Sequence, residues 1–338
     1  MEAMLYQKEE AKTVRCGLCH HRCRIRPGKR GRCHVRENRD GRLVSLVYDR
    51  IISRNIDPIE KKPMFHMAPG SLSYSIATVG CNLRCRFCQN ADIAQMPTDR
   101  EGLIMGNHAT PEEIVEDACR NGCRSIAYTY TEPTVYFELA YATARLAAAA
   151  GLLNVFVTNG FMTPEAIDRI APFLDGANVD LKAYSDRFYR EYCSAALEPV
   201  RQSLQHMKAA GIFVEITTLL IPGCNDDRNE LKRMAAFIAN DLGRETPWHL
   251  SRFHPTYRMT DRPPTPLRSL MEARAIGLAA GLRYVYTGNV PGDEGGNTYC
   301  YSCGERLVER FGFSISANRI KNGCCPHCDT HIDGIEMG

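Results

Sequence analysis

The chain has 338 residues, 44% of them hydrophobic and 24% charged, enough to bury a sizeable core as one large α/β domain with small appendages. Its 42 Lys and Arg against 39 Asp and Glu leave a formal charge of +3, too small by itself to imply a polyanionic partner. No apolar run approaches the roughly 18 to 20 residues that span a bilayer, and Met1 to Lys8 has no apolar signal core, so a cytoplasmic protein without membrane contact is expected. Sixteen cysteines in a reducing compartment then argue for metal sites rather than disulfides.

Residues 1–70 read as a Cys-rich module and a connecting segment. Cys16, Cys19, Cys23 and Cys33 supply four thiols within 18 residues, and Pro27-Gly28 and Gly31 make the turns that fold so short a chain back on itself. Four thiolates suit structural zinc, with an auxiliary iron–sulfur cluster as the alternative. Nine Lys and Arg from Arg15 to Arg39 crowd the module, and offsetting the thiolate charge explains them better than a nucleic-acid patch. Leu43 to Tyr48 looks like a strand. Asp57 to Pro63, with charges of both signs between two prolines, is expected as a structured loop. Lys62 and His66 follow, more as solvated loop residues than as site residues.

A larger unit, 71–290, opens with a strand near 72–79 and then Gly80-Cys81-Asn82-Leu83-Arg84-Cys85-Arg86-Phe87-Cys88-Gln89-Asn90. A cubane [4Fe–4S] cluster normally takes four thiolates, so three from one tight loop leave one iron open to a substrate or cofactor. Structural zinc usually pairs two close cysteines with two distant ligands, which this loop does not match. The loop resembles the signature of the radical S-adenosylmethionine (SAM) superfamily in its three thiols, the aromatic Phe87 before the last of them and Asn90 after it. That resemblance implies SAM chelated to the open iron and cleaved by one electron to a 5′-deoxyadenosyl radical.

Beyond the loop, apolar strands alternate with helices, the signature of parallel βα units; further strands are expected near 124–130, 152–158, 177–182, 212–220, 248–254 and 282–287. Thr110-Pro111-Glu112-Glu113 predicts a capping box, and Thr163-Pro164 and Thr265-Pro266 repeat the Thr-Pro helix start. Ala-rich 138–150 reads as a helix, Asn225 as a helix cap, and Cys119 and Cys123 as neighbours on one helix face. Six or seven units predict an α/β fold, a partial (βα)6 TIM-like barrel with small Cys-rich metal-binding modules at both termini. Chemistry gathers at the C-terminal ends of such strands. That rule picks Glu132, to accept from SAM's ammonium or to serve as an ordinary helix-start carboxylate, then Thr158 and Asn159, then Asp180 and Lys182 for SAM's carboxylate, and His254, either near SAM's adenosine or a satisfied core histidine. Cys224 reads as structural and Cys193 has no assigned role.

Residues 291–338 form the last module, with 292–296 as a linker. Cys300 with Cys303 and Cys325 with Cys328 make two knuckles 21 residues apart, a zinc-ribbon pattern; Cys324, His327 or His331 could substitute in register. The whole chain, from Cys16 through Cys23, Ile56 through Pro63, the cluster loop and Thr129 through Pro133 to the terminal knuckles, resembles the radical SAM component of the AmmeMemoRadiSam system, a relative of pyruvate formate-lyase activating enzyme. The resemblance implies an external electron donor of flavodoxin or ferredoxin type and proteins of that system as partners, and leaves the substrate open. Activation of a glycyl-radical partner protein is an alternative, and a zinc and iron–sulfur nucleic-acid module is one of another class.

Overall fold

The computed structural model describes residues 1–338 except Pro291 and Asp293. Its centre is one eight-stranded sheet. We number these strands β1 (Ser53–Pro58), β2 (Leu72–Ala77), β3 (Ser125–Tyr128), β4 (Leu153–Thr158), β5 (Gly176–Asp180), β6 (Phe213–Leu220), β7 (Trp248–Arg252) and β8 (Val285–Gly288). They lie side by side in the order β8-β7-β6-β5-β4-β3-β2-β1. Strands β2 to β8 pair in parallel, each with its successor, as the alternating pattern predicts. A sheet wound steadily in one direction, with helices returning each strand, builds the wall of a partial barrel.

Strand β1 pairs antiparallel with β2 at the edge and departs from the expected loop at 57–63. Its sequence Ser-Arg-Asn-Ile-Asp-Pro lacks apolar alternation because an edge strand is polar, and its proline falls at the last position. The chain then makes a 3-10 turn over Ile59–Lys61.

The connecting helices are α1 (Pro111–Arg120), α2 (Phe137–Ala149), α3 (Pro164–Ile170), α4 (Leu197–Ala209), α5 (Arg228–Phe237) and α6 (Leu267–Ala279). The capping box forms, with Glu113 N–H donating to Thr110 Oγ1 at 3.2 Å and Thr110 N–H to Glu113 Oε2 at 2.8 Å. Thr163 caps α3 by its side chain alone, accepting Ala166 N–H at 3.4 Å. Two expected caps act otherwise. Thr265 leaves the N-cap of α6 to Pro266, and its hydroxyl instead donates to Leu220 O at 2.6 Å and accepts Phe253 N–H at 2.7 Å, joining the ends of β6 and β7. Asp227 caps α5, while Asn225 donates to Lys182 O at 2.7 Å and Leu219 O at 2.9 Å and so ties the loop after β6 to that after β5. Helix α1 ends at Arg120, which puts Cys123 beyond it; Cys123 is buried and Cys119 exposed, not neighbours on one face.

Both Cys-rich segments are fastened to the barrel. Near the N-terminus, Tyr6–Lys8, Val14–Cys16 and Arg24–Ile25 form a small sheet, and Arg36–Arg39 pairs with Arg42–Ser45. This module is stitched to the loop after β4 by Thr163 Oγ1 donating to Gly17 O at 2.6 Å and His20 N–H to Phe161 O at 3.1 Å. At the other end, β9 (Arg306–Phe311) and β10 (Ser314–Asn318) form a hairpin. Leu307, Val308, Cys300 and Cys325 share an apolar cluster with Phe65, Tyr284 and Tyr286 of the barrel. Of the linker expected over 292–296, Asp293 lies outside the described residues and Glu294–Gly296 is a 3-10 turn. Among the described residues no helix is long and apolar enough to cross a membrane.

One buried ion pair joins the N-terminal module to α2: Arg36 Nη2 and Glu138 Oε1 lie 2.7 Å apart, with both side chains 2% exposed. Removing one partner strands the other charge in a poorly solvating interior. Glu138→Ala is therefore expected to cost about 3–5 kcal/mol, and replacement of both residues by methionine much less. Chemical denaturation of the three proteins checks this.

Candidate active site

Strand β2 delivers the chain to Gly80, which adopts φ +103°; a Cβ there would lie 2.7 Å from Val35 Cγ1, so glycine alone fits. The loop that follows is fixed by backbone bonds: Arg84 N–H to Cys193 O and Arg86 N–H to Tyr192 O, both 2.9 Å, and Cys88 N–H to Cys85 O at 3.3 Å. Phe87 is buried 5.7 Å from the ring of Phe188, and Asn90 Nδ2 donates to Tyr130 O at 2.8 Å. Cys81, Cys85 and Cys88 consequently line one cavity of about 800 Å3.

Burial pushes the Cys81 thiol far above its ordinary pKa and Cys88 up to about 12. Cys85 is lowered, chiefly by a hydrogen bond with the thiol of Cys193, a buried residue to which the sequence assigned no role. Two N–H donors reach Cys81 Sγ, from Leu83 at 3.4 Å and Asn159 Nδ2 at 3.7 Å. Such thiols ionise when a cation takes the place of the proton, which couples metal binding to proton release. Among the described residues, the four C-terminal cysteines are the one group of three or more His, Cys, Asp or Glu whose ligand atoms lie mutually within 4.8 Å. Among the described residues the loop thiols do not form such a group, so they do not present the close set of ligands that a single tetrahedral zinc imposes. A three-thiol loop of this kind fits a cubane cluster.

Successive strand ends bring the other polar groups to this cavity. After β3, Glu132 is 1% exposed; its Oε1 accepts from Thr158 Oγ1 at 2.7 Å and from the hydroxyl and N–H of Thr134 at 2.5 and 3.1 Å. Among the described residues its Oε2 accepts a single bond, from Asn159 N–H at 2.8 Å, which leaves a lone pair open. Beyond β5, Lys182 Nζ sits 2.9 Å from Asp180 Oδ2, and Lys182 N–H donates to Tyr189 OH at 3.0 Å. Burial opposes the Lys182 charge, but Asp180, Cys85 and Cys193 outweigh it and its pKa is raised well above the usual value. Glu132, Thr158, Asn159, Asp180 and Lys182 thus converge with the three thiols. His254 does not: it is exposed, because the strand ends at Arg252 and the chain turns outward at His254-Pro255.

The cavity has polar walls that the sequence reading missed. Lys62, which lines it, and His66, buried outside its lining, were both expected in a solvated loop and are 1% and 0% exposed. Asn178 of β5 holds Pro63 O at 2.8 Å and Glu215 of β6 accepts the N–H groups of Phe65 and His66 at 3.1 and 2.8 Å, which draws the segment in. Lys62 Nζ pairs with Asp57 Oδ2 at 2.5 Å, which also accepts the Tyr130 hydroxyl; burial brings the Lys62 pKa down to about 8. Glu215 pairs in turn with His249 of β7 at 2.6 Å. The available signal was a Glu and a His in otherwise apolar barrel strands, Phe-Val-Glu-Ile and Trp-His-Leu, since an ionisable group in a covered strand needs a partner.

In the C-terminal module, Cys300 and Cys328 Sγ lie 3.6 Å apart and Cys303 and Cys325 Sγ 3.7 Å, the separations a tetrahedral zinc requires. Cys325, not Cys324, completes this quartet. Six of the nine cations of the N-terminal module are matched by carboxylates rather than by thiolates: Arg15 and Arg24 pair with Glu9, Arg22 with Glu165, Arg30 and Arg39 with Glu37, and Arg36 with Glu138.

The family described as the radical SAM superfamily matches residues 75–237, the span from β2 through α5. The chain is similar to an uncharacterised protein of Methanocaldococcus jannaschii, 46% identical over 334 residues and covering 98% of each chain. A second protein of that organism, provisionally named a glycyl-radical enzyme activating enzyme, is 27% identical over 169 residues, 48% of this chain and 66% of its own. A solved radical SAM methyltransferase from Sphaerobacter thermophilus shares the fold, with a TM-score of 0.52 at 18% identity over 66% of this chain and 68% of that one. With the three-thiol loop at the head of the matched span, the chain belongs to the radical SAM superfamily and is an enzyme of that family.

Proposed function

We propose that Cys81, Cys85 and Cys88 hold a [4Fe–4S] cluster, that the neighbouring strand ends bind SAM, and that the enzyme uses reductive SAM cleavage to abstract hydrogen from a substrate in the same cavity. The observation that carries this reading is that the three loop thiols and the Asp180–Lys182 pair line one cavity of about 800 Å3. When bound, the cluster supplies one electron that splits SAM into methionine and a 5′-deoxyadenosyl radical.

The chain's own groups bind and orient. Lys182 offers an ammonium, held in place by Asp180, to SAM's carboxylate. The open lone pair of Glu132 Oε2 receives SAM's ammonium, while its other bonds fix Thr158 and Asn159. His254, exposed, drops out of the set. Lys62 and His249 provide polar lining for the substrate. The electron comes from an external donor of flavodoxin or ferredoxin type, in the cytoplasm. Cys300, Cys303, Cys325 and Cys328 hold zinc.

The resemblance along the whole chain supports a place in the AmmeMemoRadiSam system, with partner proteins from it. The likeness to the provisionally named activating enzyme supports glycyl-radical activation as the second reading; electron paramagnetic resonance of a mixture with the partner protein distinguishes it. The carboxylate partners of six N-terminal arginines weigh against the nucleic-acid module.

Anaerobically reconstituted enzyme given dithionite and SAM is expected to release 5′-deoxyadenosine, and Cys85→Ala to release none. A fully loaded cluster that yields no product refutes the reading. Lys182→Ala is expected to raise the KM for SAM by about ten- to a hundredfold, the weight of a hydrogen bond to a charged group, with a smaller change in kcat. Metal analysis checks the terminal site: Cys325→Ser is expected to lose about one zinc per chain and Cys324→Ser none.

A further inference from the structure

We infer that Cys16, Cys19, Cys23 and Cys33 hold a second [4Fe–4S] cluster rather than zinc, directly behind the Cys81 loop; its pairing with a first cluster rests on the reading of that loop given above.

Spacing is the first ground. The C-terminal quartet brings its sulfurs within 4.8 Å of one another, as a single ion demands, and among the described residues the N-terminal four do not make up such a group. Like Cys81, Cys85 and Cys88, they form no single-ion group among the described residues. A cubane places its cysteine sulfurs about 6 Å apart, because four irons intervene where zinc supplies one.

Room and donors are the second. The four thiols line a common cavity with about 20 Å3 available to the centre of a water molecule, more than one water needs. Arg36 and Asn82 line the same cavity, and each has a buried N–H donor without a partner, Arg36 Nε and Asn82 Nδ2. Unpaired buried donors are costly, and a cluster presents sulfide and thiolate acceptors to such groups while a closed tetrahedral zinc presents thiolates only.

Position is the third. Asn82 follows Cys81 in sequence, so one residue touches both centres. Its carbonyl accepts from His21 Nε2 of the N-terminal module at 2.8 Å, and its Oδ1 accepts at 2.7 Å from Asn159 Nδ2, which also reaches Cys81 Sγ. The Arg84 guanidinium donates to Arg32 O beside Cys33, and Val35 presses on Gly80. Two one-electron centres thus sit on either side of a single loop.

The test counts metals in the anaerobically reconstituted full chain. About eight irons and one zinc per chain are expected, as each cubane holds four irons, and about four irons with two zincs overturn the inference. The Cys81→Ala, Cys85→Ala, Cys88→Ala triple variant is expected to keep about four irons and, once reduced, to show the paramagnetic resonance of one isolated [4Fe–4S]+ cluster. Reduced wild type is expected to show two signals broadened by their mutual interaction. A triple variant that retains its C-terminal zinc but no iron refutes the second cluster. If that variant fails to fold, as loss of the C-terminal zinc reveals, Cys16→Ser with Cys33→Ser must remove about half the iron and the broadening; unchanged iron refutes the proposal. Release of 5′-deoxyadenosine is scored separately. Its absence from eight-iron protein sinks SAM cleavage and leaves the second cluster standing.

Discussion

A carboxylate buried to 1% exposure carries the geometry of the strand ends. Glu132 accepts four hydrogen bonds, from Thr134 twice, Thr158 and Asn159, and so ties the end of β3 to the end of β4. Burial raises its pKa, and these donors work against that rise. Asn159, oriented by the same carboxylate, reaches Cys81 Sγ and the side chain of Asn82. One chain of hydrogen bonds therefore runs from a barrel strand through the cluster loop to His21 of the N-terminal module. A buried network of this kind is costly when incomplete and rigid when satisfied, so the loop's position is set by the barrel rather than by the loop itself.

Desolvation explains why the thiols need that rigidity. The environment around Cys81 and Cys88 disfavours the thiolate, as it does for Cys19 and Cys33 in the N-terminal module. At these four positions burial favours the neutral thiol. Metal binding exchanges protons for a cation whose charge that environment cannot screen, and the free energy of that exchange adds to folding. Cys85 differs because the Cys193 thiol supports its ionised form, which makes it the thiol among the three that is easiest to deprotonate.

Much of this was legible in the sequence, for identifiable reasons. Strand and helix periodicity gave every parallel strand, since covered strands such as Ser125–Tyr128 are buried at each residue and read as apolar runs. The Thr-Pro starts at residues 110 and 163 worked because an N-cap is local chemistry. Thr265 failed because its hydroxyl found tertiary partners, Leu220 O and Phe253 N–H, two residues before the helix began. Lys62 was misplaced because its partners Asp57 and Tyr130 come from β1, an edge strand with no periodic signal, and from a residue held at φ +60°. His254 was placed by its nearness to a strand end, yet the register of β7 against β6 sets His249 beside Thr217 inside the cavity and ends pairing at Arg252.

The C-terminal module also bears on the chemistry. Its hairpin turn, Phe311-Gly312-Phe313, contributes to the cavity wall, and Arg310 of the same strand is buried against Phe65, Glu60 and Thr298. The aromatic cluster of Phe65, Tyr284 and Tyr286 that anchors the module includes residues of the segment carrying Lys62 and of strand β8. A metal bound by the Cys300–Cys328 knuckles would also hold in place one wall of the cavity, since a small module with few apolar residues gains its fold from such an ion. The wall of the cavity in this chain is thus shared between the barrel, which is common to the superfamily, and an appended module.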